Sequence, residues 1–187
     1  MKKVKFILAL AFLVTSQLIF AADVDVEKSE IKWLGKKIGG EHYGKIKLKN
    51  GQLELKNGQI SGGSFEVDMT SITNDDLTND DYNAKLIGHL KSDDFFGVEK
   101  FPIAKFVITK ASQFIDGKAK ITGTITIKGK TETITFEVVK NKNIYSAQIP
   151  IDRSKFDVRY GSKTFFDNIG DKAIDDIFTL DVKLVLE

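Results

Sequence analysis

Ile121-Thr122-Gly123-Thr124-Ile125-Thr126-Ile127, then Lys128-Gly129, then Thr133-Ile134-Thr135-Phe136-Glu137-Val138: these residues decide the fold. In the first run Ile121, Gly123, Ile125 and Ile127 alternate with Thr122, Thr124 and Thr126. Beyond the Lys128-Gly129 turn, Ile134, Phe136 and Val138 alternate with Thr133, Thr135 and Glu137. Successive side chains of a strand point to opposite faces. Each run therefore has one apolar face and one wet face, the pattern of antiparallel strands that cover a core on one side. The β-branched residues that dominate both runs suit a pleated surface.

The same beat continues outward. Phe65, Val67 and Met69 alternate with Ser64, Glu66, Asp68 and Thr70, and Phe178, Leu180, Val182, Leu184 and Leu186 alternate with Thr179, Asp181, Lys183 and Val185. Nearer the start, Ile31 and Trp33, then His42, Gly44, Ile46 and Leu48, keep it. Asn50-Gly51, Asn57-Gly58 and Asp116-Gly117 carry residues that accept positive φ in tight hairpins. Lys128-Gly129 and Asn141-Lys142-Asn143 mark two further turns. The reading predicts strands over 24–34, 42–49, 52–56, 59–69, 103–115, 119–127, 132–139, 144–151 and 177–186. No repeat of about 20 to 50 residues recurs, which excludes solenoids and propellers. The expected fold class is all-β: an antiparallel up-and-down β-barrel with a short helix and long loops at one end.

Two connections are long, 70–102 and 152–176, and loops of that length in compact domains are usually functional. In the first, Tyr82, Leu86 and Leu90 recur at helical spacing behind Asp80 and Asp81, which predicts the helix. In up-and-down order, strands 59–69 and 144–151 point the same way, so both connections leave from one end. That end collects His89, Phe95, Phe96, Phe101, Arg153, Phe156, Arg159, Tyr160, Phe165 and Phe166. A closed barrel of about eight strands holds one ligand, and the aromatic end is its expected mouth or lid.

The chain has 187 residues and no cysteine, which excludes a disulfide framework, a thiolate zinc site and a cysteine nucleophile. Met1-Lys2-Lys3 opens a positive segment, Phe6 to Val14 is an unbroken apolar run, and Ile19 and Ala21 suit a signal-peptidase site. This reads as a signal peptide over 1–21 and a mature domain over 22–187. A membrane anchor fits less well, because Thr15, Ser16 and Gln17 interrupt a stretch already at the short limit for a span. No cysteine follows the site, so lipoprotein processing is excluded. Loss of Lys2, Lys3 and Lys5 leaves 25 of the 28 basic residues against 26 acidic ones, a net charge of −1. Nucleic-acid binding then lacks its electrostatic basis. The expected location is the periplasm, with no membrane span after processing.

Candidate chemistry is sparse. His42 and His89 are the only histidines, with no nucleophile elbow and no ligand-spaced partner. No catalytic residue, metal or cofactor is expected. His42 shares the parity of Ile46 and Leu48 and is expected to face inward as a hydrogen-bonded residue or a ligand contact. The acidic run Asn74 to Asp81 lacks the glycine and glutamate of an EF-hand loop and reads as a solvated cap on the helix. Arg153 and Arg159 are the only arginines, the two ends of one seven-residue stretch. Their planar forks suit a carboxylate, either a protein aspartate such as Asp152, Asp157 or Asp171, or the polar head of a ligand.

Taken together, the residues resemble one known family. Ser29-Glu30-Ile31-Lys32-Trp33, His42-Tyr43-Gly44, the run Gly62 to Ile72, the run Lys85 to Phe96, Phe101-Pro102-Ile103-Ala104-Lys105-Phe106, Gly123 to Gly129 and Asp152-Arg153 resemble the YceI-like exported proteins. The resemblance covers nearly the whole mature chain, and Asp157 departs from it where glycine is implied. It implies a lipocalin-like barrel with a long tunnel for a polyisoprenoid or fatty-acyl chain, no catalytic residues, and a homodimer. The candidate ligand-binding residues are Trp33, His42, Phe65, Val67, Leu86, His89, Leu90, Phe95, Phe96, Phe106, Phe136, Arg153, Phe156, Arg159 and Phe165.

The leading expectation is an exported protein that sequesters or carries such a lipid. One alternative is an enzyme acting on the lipid with His42 or His89 as general base. Another is a structural or protein-interaction barrel with a filled interior. The export reading is checked by N-terminal sequencing of protein from the periplasmic fraction. The expected first residue is Ala22, and an intact Met1 on membrane-embedded protein would contradict the signal peptide.

Overall fold

One long strand makes the barrel. The computed structural model describes residues 19–187, so most of the predicted signal peptide lies outside the described residues. The elements are β1 (Ile19–Asp23), β2 (Glu30–Lys37), β3 (Gly40–Lys56), β4 (Gln59–Asp68), α1 (Asp80–Lys91), β5 (Ile103–Ala111), β6 (Lys118–Ile127), β7 (Lys130–Asn141), β8 (Ile144–Asp152) and β9 (Ile177–Val185). From β3 to β9 each strand pairs antiparallel with the next, and β9 returns to β2. β3 pairs with both β2 and β4, closing β2 to β9 into an eight-stranded barrel. β1 lies in line with β2 along the same edge of β3: Ile19 to Asp23 face Lys56 to Gln52, and Ile31 to Lys37 face Ile46 to Gly40.

Three of the expected strand boundaries differ, and one of these is the end of β5, which stops at Ala111 rather than at the expected 115. Asn50-Gly51 is not a hairpin, because β3 runs straight through it. The β3–β4 register slips between Leu48 and Asn50, a β-bulge that absorbs one residue without reversing the chain. Asn50 donates from Nδ2 to Glu66 Oε2 at 2.9 Å, and a methyl group at Gly51 would lie 2.8 Å from the Phe65 ring. Glycine is therefore required there for space. The expected strand 24–34 is interrupted by a turn in which Ser29 N–H donates to Asp25 O at 3.0 Å, so β2 starts at Glu30. The other Asx-Gly pairs do turn: Asn57-Gly58 and Asp116-Gly117 have positive φ at both residues, as does Lys128-Gly129.

The connections follow the expected geometry. The β2–β3 turn, the β4–β5 connection, the β6–β7 turn and the β8–β9 connection all lie at one end, here the upper end. Helix α1 is capped by Asn79, whose Oδ1 accepts from Tyr82 N–H at 3.1 Å, with Asp80 and Asp81 in its first turn and Lys91 in its last. Only its C-terminal half packs: Leu90 is buried, Leu86 is half-buried, and Tyr82 is 63% exposed. After β4 the chain stays on the edge of β3, with Thr73 N–H donating to Lys45 O and Asp75 N–H to Tyr43 O, both at 2.9 Å. There it passes over Gly44, and Trp33 on β2, opposite Gly44, donates from its indole N–H to Thr73 O at 2.9 Å.

A methyl group at Gly44 would overlap the Thr73 carbonyl, whereas nothing lies within 4 Å of one at Gly35. Gly44→Ala is therefore expected to cost about 3 kcal/mol, the upper range for overpacking, and Gly35→Ala almost nothing. Urea unfolding of both variants checks this. Equal stabilities would mean that the 73–76 segment does not seat on Gly44.

Candidate functional site

The inward side chains of the barrel do not fill it. They enclose an apolar cavity of about 210 Å³. Trp33, Phe65, Val67, Phe106 and Phe136 line it from the strands, and Leu90, Phe95 and Phe96 from the β4–β5 connection. Ile121 and Ile127 of β6 both line it, and six strand steps at about 3.3 Å give a length of about 20 Å. Phe106 stands between Phe65 and Phe136, with ring centroids 6.4 Å and 5.5 Å away. It fits because Gly123 of β6, two residues from Phe106's register partner Ile125, has no side chain: a methyl group there would overlap the Phe106 ring. Large rings braced against each other cannot collapse into the space between them, so the interior stays open.

The only lining residues with polar side chains besides Trp33 and Tyr145 are Lys105, Ser146 and Arg153. Arg153 is 2% exposed and four of the five N–H donors of its fork are engaged by backbone carbonyls. Nε donates to Asp175 O at 3.0 Å, Nη1 to Val158 O at 2.9 Å and Tyr160 O at 2.8 Å, and Nη2 to Ile174 O at 3.0 Å. Asp176 Oδ1 lies 3.3 Å from Nη2 and makes no hydrogen bond, so charge alone holds that contact. Burial lowers the arginine pKa from its ordinary value, and Asp176, Asp152 and Asp175 oppose the fall. Burial also acts to raise the Asp176 carboxyl, but hydrogen bonds from Ser162 and Thr164 and the Arg153 charge outweigh it and leave the pKa lowered. Of the two expectations for Arg153, the geometry is that of a protein ion pair. The side chain ties the β8–β9 connection to the barrel, and its Cζ lies over the Phe95 ring, 5.5 Å from the centroid.

Nine of the candidate residues meet on the cavity wall: Trp33, Phe65, Val67, Leu90, Phe95, Phe96, Phe106, Phe136 and Arg153. Six do not. His42 points inward by parity but sits above the cavity, its Nδ1 2.8 Å from Asp76 Oδ2. Burial acts to raise the Asp76 carboxyl, yet the Tyr43 N–H, His42 and Asn74 outweigh it and leave it lowered. His89 packs edge-on between Phe95, at 5.7 Å, and Tyr160, at 4.3 Å, joining the two long connections. Leu86 backs the wall, and Phe156 is buried in the upper end beside it. Arg159 donates to Asp157 Oδ1 at 2.5 Å and lies over the ring of Phe165, both outside the cavity.

Strand parity predicts further lining residues absent from the candidate set, among them Phe178, Leu180, Val182 and Leu184 of β9. Asp157, where the resemblance implies glycine, takes φ 60° in the left-handed region, which glycine favours and aspartate tolerates. Among the described residues, no group of three or more His, Cys, Asp or Glu side chains is placed to hold a metal, and no helix is long and apolar enough to cross a membrane.

A closed antiparallel barrel around an apolar interior, with one short helix beside its upper end, defines a lipocalin-like protein. The chain belongs to the YceI-like family, whose domain model matches residues 23–186. A UPF0312 protein of Shewanella denitrificans is 33% identical over 94 residues, a match spanning 50% of this chain and only 47% of that relative. Among solved structures, Burkholderia cenocepacia BcnA superposes with a TM-score of 0.68 at 26% identity, covering 87% of this chain and 99% of its own. A polyisoprenoid binding domain from Saccharophagus degradans gives 0.59 at 12% identity over 92% of this chain and 99% of its own, a likeness of fold.

Lysine cannot reproduce the four bonds of Arg153, so Arg153→Lys is expected to cost about 3 kcal/mol through buried carbonyls left unpaired. The lowered pKa of Asp176 stabilises the fold above the ordinary aspartate value of 3.8, and that stabilisation is lost as pH falls through the folded value. Thermal unfolding against pH checks both. The acid slope should be shallower in Asp176→Asn, and an unchanged slope would mean that the pair contributes nothing.

Proposed function

We propose that the protein binds a long apolar lipid, a polyisoprenoid or fatty-acyl derivative, inside the barrel and thereby carries or sequesters it. The observation that carries this reading is the aromatic-walled cavity, which runs along the barrel while the one buried charge on its wall is spent on the protein's own backbone. Such a space rewards buried hydrocarbon at about 0.8 kcal/mol per methylene, so ten methylenes contribute about 8 kcal/mol before the costs of association. Neither histidine lines the cavity, which leaves the enzyme alternative without a base near the ligand. The printed description of the Saccharophagus degradans domain as polyisoprenoid binding supports the same ligand class.

The proposal includes export to the periplasm and, as the family resemblance implies, a homodimer. Cleavage behind Ala21 would remove three of the five β1 pairs and keep Ala22 opposite Leu53 and Asp23 opposite Gln52.

Native mass spectrometry of gently purified protein tests the reading, with circular dichroism as the folding control. Wild-type protein is expected to retain lipid. Phe65→Asp and Phe106→Asp put a charge on the cavity wall and are expected to retain at least about tenfold less. Lys120→Gln, on the outward face, should match wild type. Equal loading in the folded aspartate variants would remove the lipid from the barrel and overturn the proposal.

A further inference from the structure

The wall of the barrel is not evenly zipped. The β6–β7 ladder runs from Lys118↔Val139 to Ile127↔Lys130, and the β8–β9 ladder from Ile144↔Val185 to Asp152↔Ile177. Between them, β7 and β8 share only Val139↔Ser146, Lys140↔Tyr145 and Asn141↔Ile144, next to their hairpin. Above it, residues 130–138 and 147–152 are unpaired with each other, and no backbone hydrogen bond joins them among the described residues.

The split is written in the sequence. Continued in register, Thr135 would face Pro150 and Phe136 would face Ile149. Asn141 and Ile144 close a two-residue hairpin, so strand alternation turns the backbones of Ser146, Gln148 and Pro150 toward β7. Pro150 has no N–H to donate there, and proline belongs on a strand edge.

Both ends of the barrel, by contrast, are filled. Below, the rings of Phe114 and Tyr145 lie 6.2 Å apart, with the Lys140 ammonium over both and donating to Gly58 O at 3.3 Å. Above, Arg153, Phe156 and Val158 are buried, and the His89–Tyr160 contact joins the two connections. At the split, Phe136 and Val138 face Ala147, Ile149 and Ile151 across the cavity wall. Outside it lies a groove of about 480 Å³ beside Glu137, Val139, Gln148, Asp181 and Lys183. Ser146, Ala147 and Val182 border both spaces.

We infer that the split between β7 and β8 is a side port through which a single-chain amphiphile threads its apolar chain into the cavity, its polar end staying in the outer groove. This rests on the lipid-binding reading. The β4–β5 ladder also stops short, at Gly63↔Ile108, but the β7–β8 gap is the longest; entry across a paired stretch would break ladder hydrogen bonds, and entry at either end would displace buried side chains. At the split it does neither, and the small side chains of Ser146 and Ala147 border both spaces there.

The absence of native cysteine makes the test clean. Glu137→Cys with Gln148→Cys places two thiols opposite each other in the continued register, and their disulfide would zip the split. His89→Cys with Tyr160→Cys locks the upper end instead. Stopped-flow fluorescence of 11-(dansylamino)undecanoic acid reads entry and exit. The seam-locked protein is expected to load and release the probe at least about tenfold more slowly, with Kd unchanged and the rates restored by dithiothreitol; a rate effect without an affinity effect marks a port. The end-locked protein should keep wild-type rates. If the seam disulfide does not close, Ala147→Phe narrows the split and should slow both rates in the same way. Wild-type rates in the seam-blocked protein, or slowing only in the end-locked one, would overturn the port and leave lipid binding intact. Failure of wild-type protein to bind the probe would overturn the lipid-binding reading and the port with it.

Discussion

β3 is paired along both edges, and everything else depends on that. Its upper half faces β2 and its lower half β1 on one side, while β4 runs along the other. A sheet of this length twists, and only a strand that serves both of its edges turns the twist into closure. The bulge at Asn50 lets β3 bend enough to do so. Once closed, the inner face belongs to side chains that must meet across a fixed diameter. Rings that size well to the wall do not meet in the middle, and an interior space follows from the geometry of closure.

The upper end is held by a different kind of interaction. A long connection without regular structure leaves carbonyls unpaired where it crosses buried ground, and such groups are costly without donors. Arg153 supplies them, since four carbonyls of the 158–175 segment converge on one planar fork. A buried cation is thus retained because the backbone around it needs donors. The cavity wall thereby carries one weakly polar patch at the end of an otherwise apolar lining.

Much of this was legible in the sequence, for a physical reason. Period-two alternation survives wherever one face of a strand is wet, so β4, β6, β7 and β9 could be read directly, and with them Phe65, Val67 and Phe136 on the cavity wall. The same parity set His42 inward, but parity does not say where along the barrel the wall gives way to the loop that occupies its end. Asn50-Gly51 carried a strong local hairpin signal, and tertiary pairing with β4 overrode it. Phe156 ends a short 3-10 turn and Arg159 and Phe165 lie on irregular backbone, where strand alternation carries no information about facing. Pro150 was the one visible mark of a break in the wall, and its meaning depends on which neighbour its missing N–H would have faced.

The short β7–β8 ladder also divides the molecule mechanically. β8 is bound to β9 and through it to β2, whereas β7 is bound to β6 and through it to β5 and β4. The barrel is therefore two leaves of sheet sharing β3 as a spine, held on the far side by the β7–β8 hairpin below and by Lys128, whose ammonium donates to Asp157 O at 3.2 Å, above. Parting them about the spine would break no ladder within either leaf. Local opening of this kind draws on far less free energy than unfolding. The interior volume would then be set by how far the leaves part.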